Sequence, residues 1–513
     1  MSAAGPSQAA HYAPLGGSAA AAAASVGVPP MNARLGPIAG LLMGILLAAG
    51  CASTSGLSTQ ATLNNANALA AEKSLAGTDA SAAAWPATDW WRFFNDWQLD
   101  QLMDEALADS PTLKIAAART RKALAFADTA RSSLYPRVDA DLEITRERFS
   151  GKGEVPPPFA GSWSTLHQLQ ATLNWELDFW GKNRAAYESA LGQARATAVD
   201  AYAARLALST NVARAYVQLQ RAYLQLDVAE ATLSEREQIY ALTRDRNAAG
   251  IDSRLELKQA ESALPATREQ IAQLQETIQL TRNQLAALLG QGPDRGLAIN
   301  RPAATALAPV ALPSALPAEL LGRRPDLIAQ RARVEAAQKD IASAKAEFYP
   351  NANLIAFVGL QSLGGGGFLS AASRMMGFGP AVSLPIFDAG RLRANLAGKN
   401  ADYDIAVEQY NQTLADAMRD VVDQLASFRS LDEQRRQQAQ AQATAQEAYD
   451  LALLRYREGI GNYLQVLSAE TPLLTQQSLD ADLRSRQLAL EIDLVRALGG
   501  GFDAAALSVA AAH

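Results

Sequence analysis

Two parts of the chain alternate apolar and polar residues over short segments, with a period of two. In residues 166–178, leucine, alanine and tryptophan alternate with glutamine, threonine, asparagine and glutamate, and residues 138–145 alternate in the same way. Successive side chains of a strand point to opposite faces, so both segments predict strands with one apolar and one polar face. They predict a hairpin around the polar loop 150–163, and residues 351–361 and 378–386 predict a second hairpin.

The segments that follow the two hairpins are predicted to be very long helices. Residues 183–247 and 392–458 contain no proline, and some 60 helical residues reach about 90 Å at 1.5 Å per residue. Each helix stops near a glycine, Gly250 or Gly459, a residue that commonly ends helices, and a return helix follows. A further helix is expected before each hairpin. These helices are predicted at residues 99–134 and 317–348, each ending at a Tyr-Pro pair, because the residue before proline disfavours helical geometry.

The same order of elements and the same short motifs occur twice. Tyr-Pro precedes each hairpin, Gly-Ile follows each long helix, and Leu-Gly ends each return helix. Repetition over such a length indicates an internal duplication. The predicted organisation is a first repeat at residues 99–290, a linker at 291–316, a second repeat at 317–499 and a C-terminal tail at 500–513.

The N-terminus is predicted to direct the chain to a membrane. Residues 1–50 contain a low-complexity extension and then, from Met31, one arginine, an apolar stretch and small residues. This order is typical of a secretory signal, which leaves Met1 and Met31 as alternative starts. The residues LAAGC ending at Cys51 resemble a bacterial lipobox, so Cys51 is predicted to be diacylated and residues 51–98 to be lipid-anchored. Alternatively, Cys51 is removed or stays unmodified.

Composition narrows the chemistry that the chain can perform. Its 513 residues include 3 histidines and 1 cysteine, and the formal net charge is -6. Nucleic-acid binders need a basic surface, so no nucleic-acid partner is expected. The shortage of histidine and cysteine argues against disulfide frameworks, zinc sites and most acid–base catalysts. We therefore expect no catalytic residue, no metal site and no cofactor, and we do not expect an enzyme.

Strands of about ten residues with one apolar face are typical of transmembrane β-barrels. Leu169, Leu173 and Trp175 lie on the apolar face of one predicted strand and are expected to face lipid. A membrane-spanning sheet must close, and closed barrels begin at about eight strands, so a chain with four strands must combine with copies of itself. A dimer gives eight strands and a trimer twelve, and the larger ring favours an open lumen. Two soluble hairpins on a helical stalk are the alternative.

Several longer motifs follow one another in a fixed order. They are the lipobox at Cys51, the entry segment WPATDWWRFFNDWQLDQLMDEAL, the Tyr-Pro pairs, the hairpin exits NWELDFWGKNR and SLPIFDAGRLR, the turns RDRNAAGIDSRLELKQAES and RYREGIGNYLQVLSAET, and the final ALGGG. Together they resemble the outer-membrane efflux proteins of the TolC and OprM type, particularly the lipoprotein (NodT-like) branch.

The resemblance implies a mixed α and β fold in a homotrimer. Each chain would give four strands to a twelve-stranded transmembrane β-barrel, which a long α-helical periplasmic barrel continues. The implied function is a passive outer-membrane channel of a tripartite efflux system, lipid-anchored and extending into the periplasm. Its implied partners are outer-membrane lipid, a periplasmic adaptor protein and an inner-membrane pump.

The resemblance also implies functional residues at the turns between each long helix and its return helix. In the family these turns lie at the periplasmic tip, where tyrosine, arginine and acidic side chains hold a closed gate and a helical-hairpin adaptor docks. The implied docking positions are Gly250 and Gly459. The implied gate residues are Tyr456, Arg455, Arg457, Asp252, Glu256 and Leu464. The simpler alternative is that the polar members are solvated groups at helix ends and that the leucine only packs.

Two positions depart from the family pattern. Relatives often carry aspartates in the second turn that form acidic constrictions, whereas this chain has Gln465 and Ser468. A cation-binding constriction is therefore doubtful, and an apolar one at Leu464 is a candidate in its place. The aromatic residues of the entry segment are expected to fix it to the helical wall, with a membrane-interface belt as the alternative. They are Trp90, Trp91, Phe93 and Phe94.

A second hypothesis is a lipid-anchored coiled-coil scaffold of the periplasm without a pore. Such a scaffold has no need of a lipid-facing row of leucine and tryptophan, so the alternating strands distinguish the two hypotheses. The sequence leaves the cargo, the pump and the adaptor undetermined.

Overall fold

The structure is a computed structural model that describes residues 53–65, 73, 85–303, 322–364 and 366–503. All of these belong to the unit that runs from Ala52 to His513. The predictions for the signal segment, for Met31 and for lipidation of Cys51 lie outside the described residues.

The first half of the described chain contains a short entry segment, a hairpin and a long helical pair. A 3-10 helix at Trp90–Phe94 opens it. The elements that follow are α1 (Trp97–Asp109), α2 (Pro111–Ser132), β1 (Arg137–Arg148), β2 (Trp163–Leu177), α3 (Lys182–Ala248), α4 (Arg254–Leu288) and the short α5 (Pro293–Leu297).

The second half repeats this order. Its elements are α6 (Pro325–Ala346), β3 (Asn351–Leu363), a 3-10 helix (Ala371–Ser373), β4 (Arg374–Ser383), α7 (Arg391–Arg457) and α8 (Tyr463–Ala497). The long helices α3 and α7 have 67 residues each and lie within one residue of their predicted bounds. At 1.5 Å per residue, each is about 100 Å long.

Some predicted boundaries are wrong. The single helix expected at residues 99–134 is two helices, because the chain breaks at Ser110, whose side chain accepts a hydrogen bond from the amide of Thr112 (3.2 Å), and restarts at Pro111. Proline at the first helical position of a new helix is favourable but cannot continue an old one. The repeat places Pro325 in the same role at the start of α6. Residue 317, the predicted start of this helix, lies outside the described residues.

The strand β4 also differs from its prediction. It begins at Arg374, earlier than the predicted residue 378, and ends at Ser383, before residue 386. Met375 and Gly377 occupy positions where alternation requires polar side chains, which concealed the first part of the strand. Pro385 lies two residues after the last strand residue and favours an end of the strand before it.

The four strands form one antiparallel sheet in the order β1-β2-β3-β4. In the described chain, β1 pairs with β2 alone and β4 with β3 alone, so each has one edge without a partner strand. The register aligns Leu142, Leu169 and Leu360 across three strands. Since paired residues share a face, the register places apolar residues of all four strands on one side of the sheet.

We call this side the apolar face. It carries Val138, Ala140, Leu142, Ile144, Leu169, Ala171, Leu173, Trp175, Ala352, Leu354, Ala356, Val358, Leu360, Met376, Phe378, Pro380 and Val382. Many of these side chains are exposed, Phe378 by 90% and Val382 by 70%. The opposite side, the polar face, carries Asp139, Asp141, Glu143, Gln168, Gln170, Thr172, Asn174 and Gln361, with Ile355 and Phe357 among them.

The helix α3 is the element on which most other helices pack, because α2, α4, α6 and α8 all contact it. Its middle part forms a core with the entry segment, in which Trp90, Trp91 and Phe94 are buried. The hydroxyl of Tyr216 on α3 donates to the carboxylate of Asp96 (2.7 Å). The expected fixing of the entry segment is therefore confirmed for three of its aromatic residues.

Phe93 is the exception among these aromatic residues. Its side chain is 50% exposed, because consecutive residues of a short 3-10 helix point in different directions.

Residues 53–65 run along α7 in an extended segment, which we call the strap. The carboxylate of Asp404 accepts the backbone amides of Gln60 and Ala61 (both 2.9 Å). The side chain of Asn411 accepts the amide of Asn64 (2.8 Å) and donates to the carbonyl of Thr62 (3.0 Å). These bonds fix the strap to one helix through its backbone.

Within the described ranges, no helix combines the length and the hydropathy that crossing a membrane requires. In the same residues, no group of three or more histidine, cysteine, aspartate or glutamate side chains is arranged to hold a metal ion.

Close approach of β2 and β3 makes Gly359 a sensitive position. A Cβ atom there would lie 2.3 Å from the carbonyl oxygen of Leu169, whereas a Cβ at Gly379 on β4 has nothing within 4 Å. We expect Gly359→Ala to destabilise the sheet by about 1–3 kcal/mol, as overpacked sites do. Thermal unfolding followed by circular dichroism measures this, with Gly379→Ala as the matched control. Equal midpoints for the two variants would contradict the prediction.

Candidate functional site at the helical turns

Two similar turns join the long helices to their return helices. Gly250 follows α3 with φ +75° and Gly459 follows α7 with φ +80°, a left-handed geometry that favours glycine. In each turn the amide after the glycine returns to a helix carbonyl, from Ile251 to Arg246 (2.9 Å) and from Ile460 to Arg455 (3.0 Å). Both glycines thus have the predicted turn role, and docking of an adaptor around them remains a prediction.

A buried polar network, which we call the turn network, connects the two turns. The hydroxyl of Tyr456, at the end of α7, donates to the carboxylate of Asp252 in the first turn (2.7 Å). The same hydroxyl lies 2.7 Å from the Oγ1 of Thr243 on α3. Tyr456 is fully buried. A tyrosine of the second repeat is therefore bonded to two residues of the first.

Arg246 completes the turn network. Its guanidinium donates twice to the carboxylate of Asp252 (2.9 and 3.1 Å) and once to the backbone carbonyl of Tyr456 (2.9 Å). It also lies over the ring of Tyr456, 4.5 Å from the centroid. A bidentate arginine–carboxylate pair is geometrically specific, and cation–π contact adds to it.

Burial and hydrogen bonding set the charge states of this network. Burial raises the pKa of Asp252, but hydrogen bonds from Arg246 and Tyr456 outweigh it and hold the pKa below its ordinary 3.8. Burial, assisted by the nearby carboxylate, raises the pKa of Tyr456 to about 12. At neutral pH, Asp252 is therefore an anion that accepts hydrogen bonds from a neutral hydroxyl and a guanidinium.

The structure brings together Tyr456 and Asp252, but it separates the other predicted gate residues from them. Arg455 and Arg457 flank Tyr456 with exposed side chains, because adjacent helix positions point in different directions. Glu256 caps α4 in a reciprocal capping box with Ser253. These three residues therefore lie outside the turn network of this chain, and their role in the gate stays a prediction.

The second turn carries the remaining predicted positions on its surface. Leu464 is 57% exposed, and Gln465 and Ser468 are also exposed. None of them packs in the core of this chain, and the role of Leu464 as a constriction stays a prediction.

Sequence reasoning missed Arg246 and Thr243, although a signal was present. Ile239, Thr243 and Arg246 have the spacing of one helical face, and all three are buried. On the other side, Tyr449, Tyr456 and Tyr463 are seven residues apart and also buried. Thr243 and Arg246 continue the apolar face that begins at Ile239, and the tyrosines recur every seven residues on the other helix. Together these two patterns indicate a buried polar contact between the helices.

A second buried polar layer lies farther from the turns. Arg236 on α3 donates to both carboxylate oxygens of Glu470 on α8 (2.8 and 3.1 Å) and to the hydroxyl of Thr267 on α4 (2.8 Å). Beside it, the hydroxyl of Tyr449 donates to Glu235 (3.3 Å), and burial raises the pKa of Glu235. The two repeats are thus bonded at two levels near this end of the helices.

Comparisons with known proteins agree on one family. The family model described as outer membrane efflux protein matches residues 102–291 and 316–500. The chain is similar to fusaric acid resistance protein FusA of Burkholderia cepacia, with 43% identity over 69% of this chain and 68% of the relative. It is similar to multidrug resistance outer membrane protein MdtP of Shigella flexneri, with 32% identity over 83% of this chain and 88% of the relative.

A similar solved structure is the outer membrane protein VceC of Vibrio cholerae. It matches with a TM-score of 0.76 and 36% identity, covering 82% of this chain and 100% of that structure.

The turn network should hold the two turns together. Tyr456→Phe removes the hydroxyl that bonds both Asp252 and Thr243, and a hydrogen bond to a charged group contributes about 1.5–3 kcal/mol. We expect amide hydrogen exchange in both turns to become at least about tenfold faster. Exchange followed by mass spectrometry measures this, with exposed Arg457→Gln as the control. Unchanged protection in Tyr456→Phe would show that the network does not hold the turns.

Proposed function

Since the chain belongs to the outer membrane efflux protein family and is an outer-membrane channel of an efflux system, we propose that it works as a passive homotrimer. A periplasmic adaptor protein joins it to an inner-membrane pump, which supplies the driving force. The channel itself provides a conduit from the periplasm to the exterior.

The trimer is supported by the exposed apolar face of the sheet and by its two edges, β1 and β4, each of which lacks a partner strand on one side in the described chain. An apolar surface of this size on a soluble protein needs a cover, and unpaired edge groups cannot be left in lipid. Three copies joined through the edges of β1 and β4 give twelve strands and a lumen lined by the polar face. In this arrangement Leu169, Leu173 and Trp175 face lipid. A scaffold without a pore accounts for neither feature.

Two features support a lipid anchor at Cys51. The predicted lipobox ends there, and the strap begins two residues later. The guanidinium of Arg393 donates to the carbonyls of Ser53 and Ser55 (3.2 Å to the second). Because α7 begins at Arg391, directly after the sheet, the start of the strap is held at the sheet end of the helix. A diacylated residue near this level would reach the membrane.

The names of the relatives support a class of cargo. FusA is described by resistance to fusaric acid and MdtP by multidrug resistance. We propose that this channel also exports small toxic organic molecules, antibiotics among them.

At the far end of the helices, the turn network is the proposed resting gate. It connects the long helices of both repeats through Tyr456, Asp252 and Arg246, so opening requires these bonds to break. Leu464 is proposed as an apolar constriction because it is exposed beside Gln465, where an acidic ring is absent. Gly250 and Gly459 mark the proposed adaptor-docking surface.

The trimer can be tested together with transport. We expect the wild-type protein, purified from outer membranes, to have the detergent-corrected mass of three chains by light scattering, and to restore drug resistance to a strain without its own channel. Leu173→Arg should reduce both the yield of trimer and the restored resistance, because arginine facing lipid costs about 2–4 kcal/mol at the bilayer midplane. Thr172→Arg, on the polar face, is the control. A folded wild-type monomer would favour the scaffold instead.

The gate can be tested by conductance in planar bilayers. We expect Tyr456→Phe and Arg246→Gln to raise the resting conductance, whereas Glu256→Gln, outside the turn network, should leave it unchanged. A carboxylate whose folded pKa is depressed stabilises the closed state at neutral pH and loses this effect as the pH falls through that value. Wild-type conductance should therefore rise below pH 3.8, the ordinary pKa of the group.

The pH dependence has its own control. Asp252→Asn removes the titrating group, so its conductance should be high at neutral pH and should change less on acidification. A wild-type conductance that does not change on acidification to well below pH 3.8 would contradict the assignment of Asp252 to the gate.

A further inference from the structure

Charges are segregated between the two faces of the sheet. All five strand carboxylates lie on the polar face, since Asp139, Asp141, Glu143, Glu147 and Glu176 alternate with apolar-face residues. The apolar face of the described strands carries no carboxylate. Its charged side chains are arginines, Arg146 and Arg148 on β1 and Arg374 on β4.

The three arginines lie at one end of the apolar face. On β1 the apolar side chains end at Ile144, and Arg146 and Arg148 follow toward the loop that leads to β2. On β4 the strand begins with Arg374, and the apolar side chains start at Met376. This is the end away from the long helices. At the opposite end of the same face, Val138 and Val382 are apolar.

The two edge strands carry apolar bands of the same length before their arginines. Arg146 lies nine residues from the helix-side end of β1 at Arg137, and Arg374 lies nine residues from the helix-side end of β4 at Ser383. Between these limits each strand has four apolar residues on this face. The register aligns Arg374 with Leu360 and Leu142, four residues from Arg146, so the two bands are staggered. Each band ends at arginine on the side away from the long helices, which gives both edges of the apolar face a charged border.

These guanidiniums are available to a ligand. All three side chains are exposed, and none of them forms an ion pair with any residue that the structure describes. Arg148 donates one hydrogen bond, from Nε to the carbonyl of Gly161 (3.2 Å), which leaves its terminal nitrogens available. Because β1 and β4 are the two edges of the sheet, closing a ring of copies brings the arginines of neighbouring chains to the same seam.

We propose that this arginine border binds the phosphate groups of lipopolysaccharide, the phosphorylated glucosamine lipid of the outer leaflet. The inference rests on the proposed function, which directs the helices into the periplasm and so places this border at the outer leaflet. Guanidinium matches phosphate oxygens in a bidentate geometry. The absence of carboxylates from this face of the described strands removes competing partners. The apolar residues below the border then face the acyl chains of the same lipid.

Native mass spectrometry of the detergent-purified trimer tests this proposal. The probes are diphosphoryl lipid A, monophosphoryl lipid A and phosphatidylglycerol. We expect diphosphoryl lipid A to bind most tightly and the double variant Arg146→Gln, Arg374→Gln to bind it at least about tenfold more weakly. Arg146→Lys with Arg374→Lys keeps the charges and should retain most of the binding.

The control variant is Arg137→Gln, which removes an exposed arginine from the polar face of the same strand, where it pairs with Asp139 (2.8 Å). It should bind lipid A as the wild type does. Equal loss of binding in this variant, or unchanged binding in the double glutamine variant, would overturn the proposal. If the double variant does not assemble, wild-type affinities decide, and phosphatidylglycerol binding as tightly as diphosphoryl lipid A would overturn it.

The same spectra report the number of chains. A wild-type protein that is not trimeric would contradict the proposed function and this inference with it. A trimer whose lipid A binding does not depend on these arginines would contradict this inference alone.

Discussion

The backbone groups on the free edges of β1 and β4 are the constraint on which the rest of the structure depends. Each edge presents amides and carbonyls without a partner strand in the described chain, and lipid offers nothing to bond them. Ring closure satisfies both edges at once, because the outer edge of β1 in one copy can meet that of β4 in the next. The duplication fits this requirement, since two similar hairpins in one chain give a sheet whose two ends are complementary.

Ring closure also explains why the two faces of the sheet differ in polarity. In a single chain both faces meet solvent, and the exposed apolar face would be a liability. In a ring one face meets lipid and the other meets water, and every carboxylate of the described strands lies on the polar face. The register that aligns Leu142, Leu169 and Leu360 is therefore strongly specified, because a slip of one residue would turn the whole set toward the lumen.

Sequence reasoning succeeded where a single periodicity decided the outcome. The strict alternation in β2 and the absence of proline from α3 and α7 predicted one strand and two long helices close to their observed bounds. It failed where a local interaction overrides the pattern. The break at Ser110 depends on a side-chain cap and on the following proline, and the first part of β4 was concealed because Met375 and Gly377 replace polar residues on the lumen side.

In the site too, some residues were predicted from the sequence and others are identified only by their contacts in the structure. Tyr456 and Asp252 came from family resemblance, whereas Arg246, which bonds both, lies in a stretch of mixed charges and was missed. Its importance follows from packing, because α3 contacts both return helices and carries Arg236 and Arg246 ten positions apart, which are about 80° apart around the helix axis. The buried polar layer around Arg236 bonds α3 to α4 and α8, and the turn network bonds α3 to the end of α7. In the proposed opening, the turn network can therefore break while the layer around Arg236 holds, which confines the movement of α3 to its last three turns.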